Sequence, residues 1–249
     1  MKLKHLCMMA GAILGGAACS QTPEHGFEVD KMEAADGKSL EILCIQHGSL
    51  GINYNGYQIY VDPVGEYADY TKLPKADVIL ITHHHSDHLD AAAVEMVRKP
   101  GMVIVANAEV GAQLPEAQIM GNGDELNPTP YLSVKAVPAY NTTEGHLQFH
   151  PQGRDNGFVL TLGGTKIYVA GDTENIPEMA ELEGIDIAFL PVNQPYTMTP
   201  EQAADAVRMV QPKICYPYHY GLTDMATDLE SLKALLADSG VEMRIRQME

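Results

Sequence analysis

The chain has 249 residues, of which 33 are Asp or Glu and 16 are Lys or Arg, giving a formal net charge of −17 with histidine neutral. Such an acidic surface repels phosphate backbones and excludes a nucleic-acid-binding role, and the surplus acid reads as solubility. A hydrophobic share of 45% fits a globular α/β chain with a sizeable core, and neither disorder nor a membrane bundle.

At the amino terminus, Lys2 and Lys4 precede Leu6 to Ala18, a stretch of 13 residues without charge. It is too short to cross a bilayer but suits the apolar segment of an export signal. Gly16-Ala17-Ala18-Cys19 then resembles a bacterial lipoprotein cleavage site, with Gly where Leu is usual. The expectation is a signal peptide over 1–18, an anchor and tether over 19–38, and a hydrolase domain over 39–249. A lipid on Cys19 would be the chain's membrane contact, and the location would be the bacterial envelope, lipid-anchored or periplasmic. Of the four cysteines, Cys44 and Cys215 lie in apolar runs and read as buried thiols. No Cys-x-x-Cys pair exists to build a zinc ribbon.

Leu40 to Ile45 reads as a strand, and Ile52–Tyr54 and Tyr57–Val61 flank Asn55-Gly56 as a hairpin, because both turn residues accept positive φ. Val78–Ile81 is a continuous apolar run, as expected of a strand buried on both faces. A helix starts near Asp90 and stops at Pro100-Gly101, before the strand Met102–Ala106. Gly121 to Pro130 reads as turns. Leu132–Val137 is a strand, and a long loop from Pro138 to Asn156 holds His146 and His150. Phe158–Leu162 and Lys166–Ala170 pair around Gly163-Gly164, and Ile185–Leu190 is a further strand. Thr199-Pro200 opens a helix, Lys213–Tyr216 is a strand, Thr227 and Glu230 form a capping box for the last helix, and Val241–Arg246 is the last strand. Hairpins followed by strand–helix units, twice over, fit mixed sheets covered by helices.

The chemistry concentrates at His83-His84-His85-Ser86-Asp87-His88, immediately after the buried strand. Alternate residues leaving a strand share a direction, so His83 and His85 face one point while Asp87 and His88 address another. Imidazole and carboxylate are the donors that divalent cations such as zinc select. His84 faces away. Asp172 and His219 each follow an apolar strand, where further ligands would converge, while His47 and Asp62 are either orienting partners or turn residues. No Gly-x-Ser-x-Gly elbow, P-loop or dinucleotide fingerprint is present.

His83, His85, Asp87 and His88 match the His-x-His-x-Asp-His motif position for position, and the chain resembles the metallo-β-lactamase superfamily over about residues 40–246. Gln46-His47-Gly48-Ser49, Val61-Asp62-Pro63, Gly171-Asp172-Thr173, Tyr196-Thr197-Met198-Thr199 and Pro217-Tyr218-His219-Tyr220 extend the likeness, which is greatest to the ascorbate-6-phosphate lactonase-like branch. The resemblance implies an α/β fold, a four-layer αββα sandwich of two mixed sheets flanked by helices. It implies a first metal on His83 and His85, a second on Asp87, His88 and His219, and Asp172 bridging both. The family's third histidine for the first metal falls at Asn141 here, leaving His150, Asn141 or His146 for that position, with His150 favoured by its spacing from Gly157. Two zinc ions are expected, or manganese or iron if the ligand is oxygen.

The function implied is a metal-dependent hydrolase in which a metal-bound hydroxide attacks an ester, lactone, amide or phosphodiester bond of a small-molecule substrate, with Asp87 and Asp172 as the catalytic carboxylates. The alternative is a non-catalytic metal-binding lipoprotein on the same fold, for which Asn141 in place of a ligand is the argument.

Overall fold

The structure is a computed structural model that describes residues 26–221 and 227–249. The expected signal peptide and Cys19 lie outside the described residues. Among the described residues no helix is long and apolar enough to cross a membrane.

Seven strands form one sheet in chain order: β1 (Glu28–Glu33), β2 (Ser39–Gln46), β3 (Ser49–Tyr54), β4 (Tyr57–Val61), β5 (Val78–Ile81), β6 (Val103–Ala106) and β7 (Gln118–Ile119). The second sheet contains β8 (Glu125–Thr129), β9 (Leu132–Ala139), β10 (Asp155–Leu162), β11 (Thr165–Val169), β12 (Ile187–Pro191), β13 (Ile214–Tyr218) and β14 (Glu242–Met243), again in chain order. Each sheet begins with antiparallel hairpins and ends in parallel strands. Among the described residues, four α-helices, α1 (Ala91–Met96), α2 (Ala108–Gly111), α3 (Pro200–Val210) and α4 (Leu229–Leu235), cover the outer faces.

Alternation along the strands makes the layers. In β5, Val78 and Leu80 join Ile42, Ile52, Phe158 and Leu160 between the sheets, while Ile79 and Ile81 pack outward against Ala93, Val94 and Val110. In the second sheet, Tyr168, Ala188 and Leu190 pack outward on Ala203, Val207 and Leu232. Three cores separate four layers, the αββα sandwich.

Several expectations are corrected. Part of the expected tether is β1, which pairs with all of Ser39 to Cys44 in β2. Its side chains are half-exposed, so no apolar period marks it, and ladder hydrogen bonds and Asp30 hold it instead. β8 lies within the stretch read as turns, and Pro128 is tolerated because β8 is the edge strand. The last helix is capped by Asp228, which accepts from the Ser231 amide, while the Thr227 hydroxyl donates to Val192 O. The last strand is confined to Glu242–Met243, because Arg244 and Arg246 turn toward Asp30.

The topology also fixes where function can lie. Parallel strands β4, β5, β11 and β13 end at one rim, and two antiparallel steps bring the ends of β2 and β9 to the same rim. His47, Asp62, His83–His88, the loop 140–154, Asp172 and His219 all leave the sheets there.

Candidate metal centre

Two groups of donors stand side by side at this rim. His83, His85 and His150 place one nitrogen each within 4.8 Å of one another, and His47, Asp87, His88 and His219 form a second such group. Asp172 lies between them. Its Oδ2 is 3.3 Å from His150 Nε2, 3.8 Å from His83 Nε2 and 3.2 Å from His219 Nε2, and its Oδ1 is 3.4 Å from His88 Nε2.

Hydrogen bonds behind the rings set their tautomers. The Thr82 hydroxyl donates to Asp62 Oδ2 at 2.6 Å, so at 3.0 Å from His83 Nδ1 its oxygen can only accept. His83 therefore carries its proton on Nδ1 and turns the Nε2 lone pair inward. His88 Nδ1 meets Asp62 Oδ2 at 2.8 Å, and His150 Nδ1 meets Asp155 Oδ2 at 3.0 Å. Both then present Nε2 to the centre. A carboxylate behind an imidazole is the arrangement that orients metal-binding histidines. Arg154 in turn grips Asp155 through two nitrogens, at 2.8 and 2.7 Å.

The backbone is shaped for this convergence. His47, Asp62 and His219 have φ of 53, 46 and 50°, in the left-handed region that bulky side chains avoid. Neighbouring bonds hold them: His47 N donates to Met248 O, His219 N to His47 O, and Asp62 N to Leu80 O. Strain retained at three site residues is characteristic of functional centres.

Electrostatics divides the groups. Burial, with the charge of His88, pushes the His83 imidazolium form out of reach, and burial, with His150, pulls His85 down to about 4. Both are neutral donors. Burial opposes charge at His88 and His219 too, but Asp172 overrides it, raising His88 well above the usual histidine value and His219 to about 9. Burial, with the charge of His219, brings His47 down to about 4. Burial disfavours the anion of Asp172, yet the charges of His219 and His88 hold its carboxyl well below the usual range. Asp87 is likewise held low, its partial burial outweighed by His219 and His47.

The donor set suits a divalent cation. Three imidazoles held from behind (His83, His88 and His150) and two ionised carboxylates converge, and Asp172 Oδ1 is buried without a hydrogen-bond donor. Cys44 and Cys215 are buried thiols, pushed up to about 12 by burial and remote from this chemistry.

Of the residues singled out in the sequence, His83, His85, Asp87, His88, His150, Asp172 and His219 all meet here. Asn141 is tied to the same loop: its Nδ2 donates to Tyr196 O at 2.7 Å and its peptide N–H to His150 O, while its Oδ1 is buried with no hydrogen-bond partner. His146 faces Glu174 Oε1 at 3.4 Å, and His84 belongs to neither donor group. Asp62 proves to be the orienting partner of His88, and His47 Nε2 sits 3.1 Å from Asp87 Oδ2. Sequence reasoning missed Asp155, whose signal was its place at the start of β10, five residues after His150. It also missed Glu174, a buried carboxylate that binds the amides of Thr142 and Thr143 and so pins the loop carrying His150. A cleft of about 350 Å³ opens over the centre, walled by Tyr67, Phe149, Asn193 and Tyr196.

Two mixed sheets with paired histidine–carboxylate groups at their common rim define the metallo-β-lactamase class, and residues 41–219 match the beta-lactamase superfamily domain. A Thermococcus onnurineus protein named UPF0173 metal-dependent hydrolase is 38% identical over 174 residues, covering 66% of this chain and 76% of its own. One of the same name from Ligilactobacillus salivarius is 32% identical over 191 residues, covering 73% and 85%. The chain belongs to this family of metal-dependent hydrolases within the superfamily. Among solved structures, a Parabacteroides distasonis protein bearing the name of a metal-dependent hydrolase is 52% identical with a TM-score of 0.86, covering 90% of this chain and 100% of that one. A metallo hydrolase from Ignicoccus hospitalis is 25% identical, with a TM-score of 0.71 and coverage of 83% and 94%.

Proposed function

We propose that this chain hydrolyses an ester, lactone, amide or phosphodiester bond of a small molecule at a two-cation centre. The observation that carries the reading is Asp172, one carboxylate within 3.3 Å of His150 Nε2 on one side and 3.2 Å of His219 Nε2 on the other. His83, His85 and His150 would hold the first cation. Asp87, His88 and His219 would hold the second, with Asp172 shared. A nitrogen-rich first site favours zinc over manganese or iron.

Bound cations would supply Lewis acidity, polarising the scissile group and acidifying water. The chain's own residues do the rest. Asp172 fixes the spacing of the two donor groups. Asp87, ionised and facing the cleft beside His47, takes the proton of the attacking water and returns it to the leaving atom. The water oxygen ends on the acyl or phosphoryl centre, and the bond to the leaving oxygen or nitrogen breaks. Tyr67, Phe149 and Tyr196 supply the aromatic wall of the cleft.

The test is metal analysis of the purified protein together with hydrolysis of ester, lactone, amide and phosphodiester probes. Close to two equivalents of metal and turnover of one probe class are expected, both lost in Asp172→Ala. Full turnover in that variant would overturn the assignment.

A further inference from the structure

The cleft wall carries a chemical preference of its own. Among the described residues, the ten that line it include no Lys and no Arg; its carboxylates are Asp87 and Asp172, and the one lining group that holds a positive charge is His219, itself among the residues that would take the second cation. Arg154 is close enough to His85 to act on its charge, yet it does not line the cleft. Its Nε and one terminal nitrogen are spent on Asp155, and that terminal nitrogen also donates to Phe149 O. A phosphate or carboxylate placed away from the reacting bond would find no cationic partner.

Two features indicate what replaces it. Phe149 and Tyr196 meet edge to face at 4.9 Å on one side, and Tyr196 is 40% exposed, a large ring left open at the mouth. This is the kind of surface that receives an apolar arm. The second feature is Asn193, which is 2% exposed and lines the cleft. Its Nδ2 donates to Gly221 O and lies 3.5 Å from His219 Nδ1, but its Oδ1 is buried with no partner. A buried amide oxygen without a donor is costly unless a ligand supplies one. The ligand that suits it offers an O–H or N–H. A phosphate dianion offers only acceptors.

We propose that the cleft selects an uncharged lactone or ester, with a hydroxyl or amide N–H placed for Asn193 and an aromatic or aliphatic arm lying on Phe149 and Tyr196, and that it rejects phosphorylated counterparts. This deepens the hydrolase reading above and rests on it. The reaction balances as a simple hydrolysis. The water oxygen bonds the carbonyl carbon, the acyl C–O bond breaks, the ring or ester oxygen leaves with one of the water's protons and the other passes to solvent, giving an alcohol and a carboxylate.

The test uses the metal-loaded protein and a γ-lactone bearing a benzyl arm and a free hydroxyl, paired with the same lactone phosphorylated at that hydroxyl. The free hydroxyl form should have a kcat/KM at least about tenfold higher, because the phosphate leaves Asn193 Oδ1 unpaired and itself uncompensated. Tyr196→Arg should narrow that ratio by serving the phosphate. Tyr196→Ala should shrink the preference for the benzyl arm over a methyl arm, mainly through KM. Equal or better use of the phosphorylated lactone, or an arm preference untouched in Tyr196→Ala, would overturn the proposal. Calorimetric binding of the matching cyclic ethers, which cannot be hydrolysed, separates this from failure of the hydrolase reading. Preference there for the hydroxyl form without turnover of any lactone upholds the cleft's selectivity and places the failure in the chemistry. Preference for the phosphate form sinks the selectivity itself.

Discussion

Gly48 lies directly against the imidazole of His88: a β-carbon at residue 48 would come within 2.7 Å of His88 Cε1 and 3.0 Å of its Nδ1. The ring is itself pinned, with Nδ1 on Asp62, so it cannot swing aside without breaking that bond. Gly48→Ala should therefore displace His88 and empty the second cation position while sparing the first. Metal analysis should fall from about two equivalents toward one. Retention of both cations would show that His88 has room the structure denies it.

Asp62 and Asp155 play matching parts behind the two donor groups, one on His88 Nδ1 and one on His150 Nδ1. Asp155→Asn should weaken the first cation by about 10–100-fold, the usual effect of losing a carboxylate behind a metal-binding imidazole. Asp62→Asn should do the same at the second position. Competition titrations with a chelator of known affinity read each loss separately. Equal losses at both positions in either variant would contradict the division into two groups.

The six residues from His83 to His88 were legible because their geometry is local: a buried strand ends and alternate side chains diverge. Asp172 and His219 were legible because parallel strands end at one rim, a rule that needs no contact map. The third donor beside His83 and His85 was open among His146, His150 and Asn141. What separates them is non-local. Asp155 orients His150, Glu174 holds His146, and the Asn141 side-chain N–H group is turned to Tyr196 O. β1 escaped notice for a related reason, since half-exposed side chains leave no period and its ladder to β2 is invisible in the string of residues.

The unequal protonation of the two groups gives a calorimetric signature. With no cation bound, His83 and His85 are neutral at pH 7, whereas His88 and His219 hold protons. A raised folded pKa means a stabilising proton that is fully present below about 6.5 and lost as pH rises through about 9 for His219. Cations entering the second group must displace those protons, whereas His83 and His85 have none to give up. Titration at pH 7 in buffers of different ionisation enthalpy should show more proton release at the second binding event than at the first. Its affinity should climb from pH 7 to 9 while that of the first changes little. Proton release shared evenly by both events would refute the asymmetry.

Asp30 ties β1 to the segment after β14. Arg246 reaches its Oδ1 at 2.8 Å, Arg244 its Oδ2 at 3.5 Å, and the Tyr216 hydroxyl donates to it as well. Partial burial works against the Asp30 anion, but the hydrogen bonds of Arg246 and Tyr216 outweigh it and hold the carboxyl below its usual value. A depressed folded pKa contributes stability above the unfolded value, near 3.8, and the contribution is lost as pH falls through the folded one. Asp30→Asn should therefore cost on the order of 2 kcal/mol at pH 7. For a chain of this length that is a drop in Tm of roughly 4–8 °C. The gap between the two proteins, both stripped of metal, should narrow as pH falls below about 4. Thermal melts at pH 7 and pH 3 read both effects, and a gap that widens on acidification would place the origin of the loss elsewhere than in the Asp30 charge.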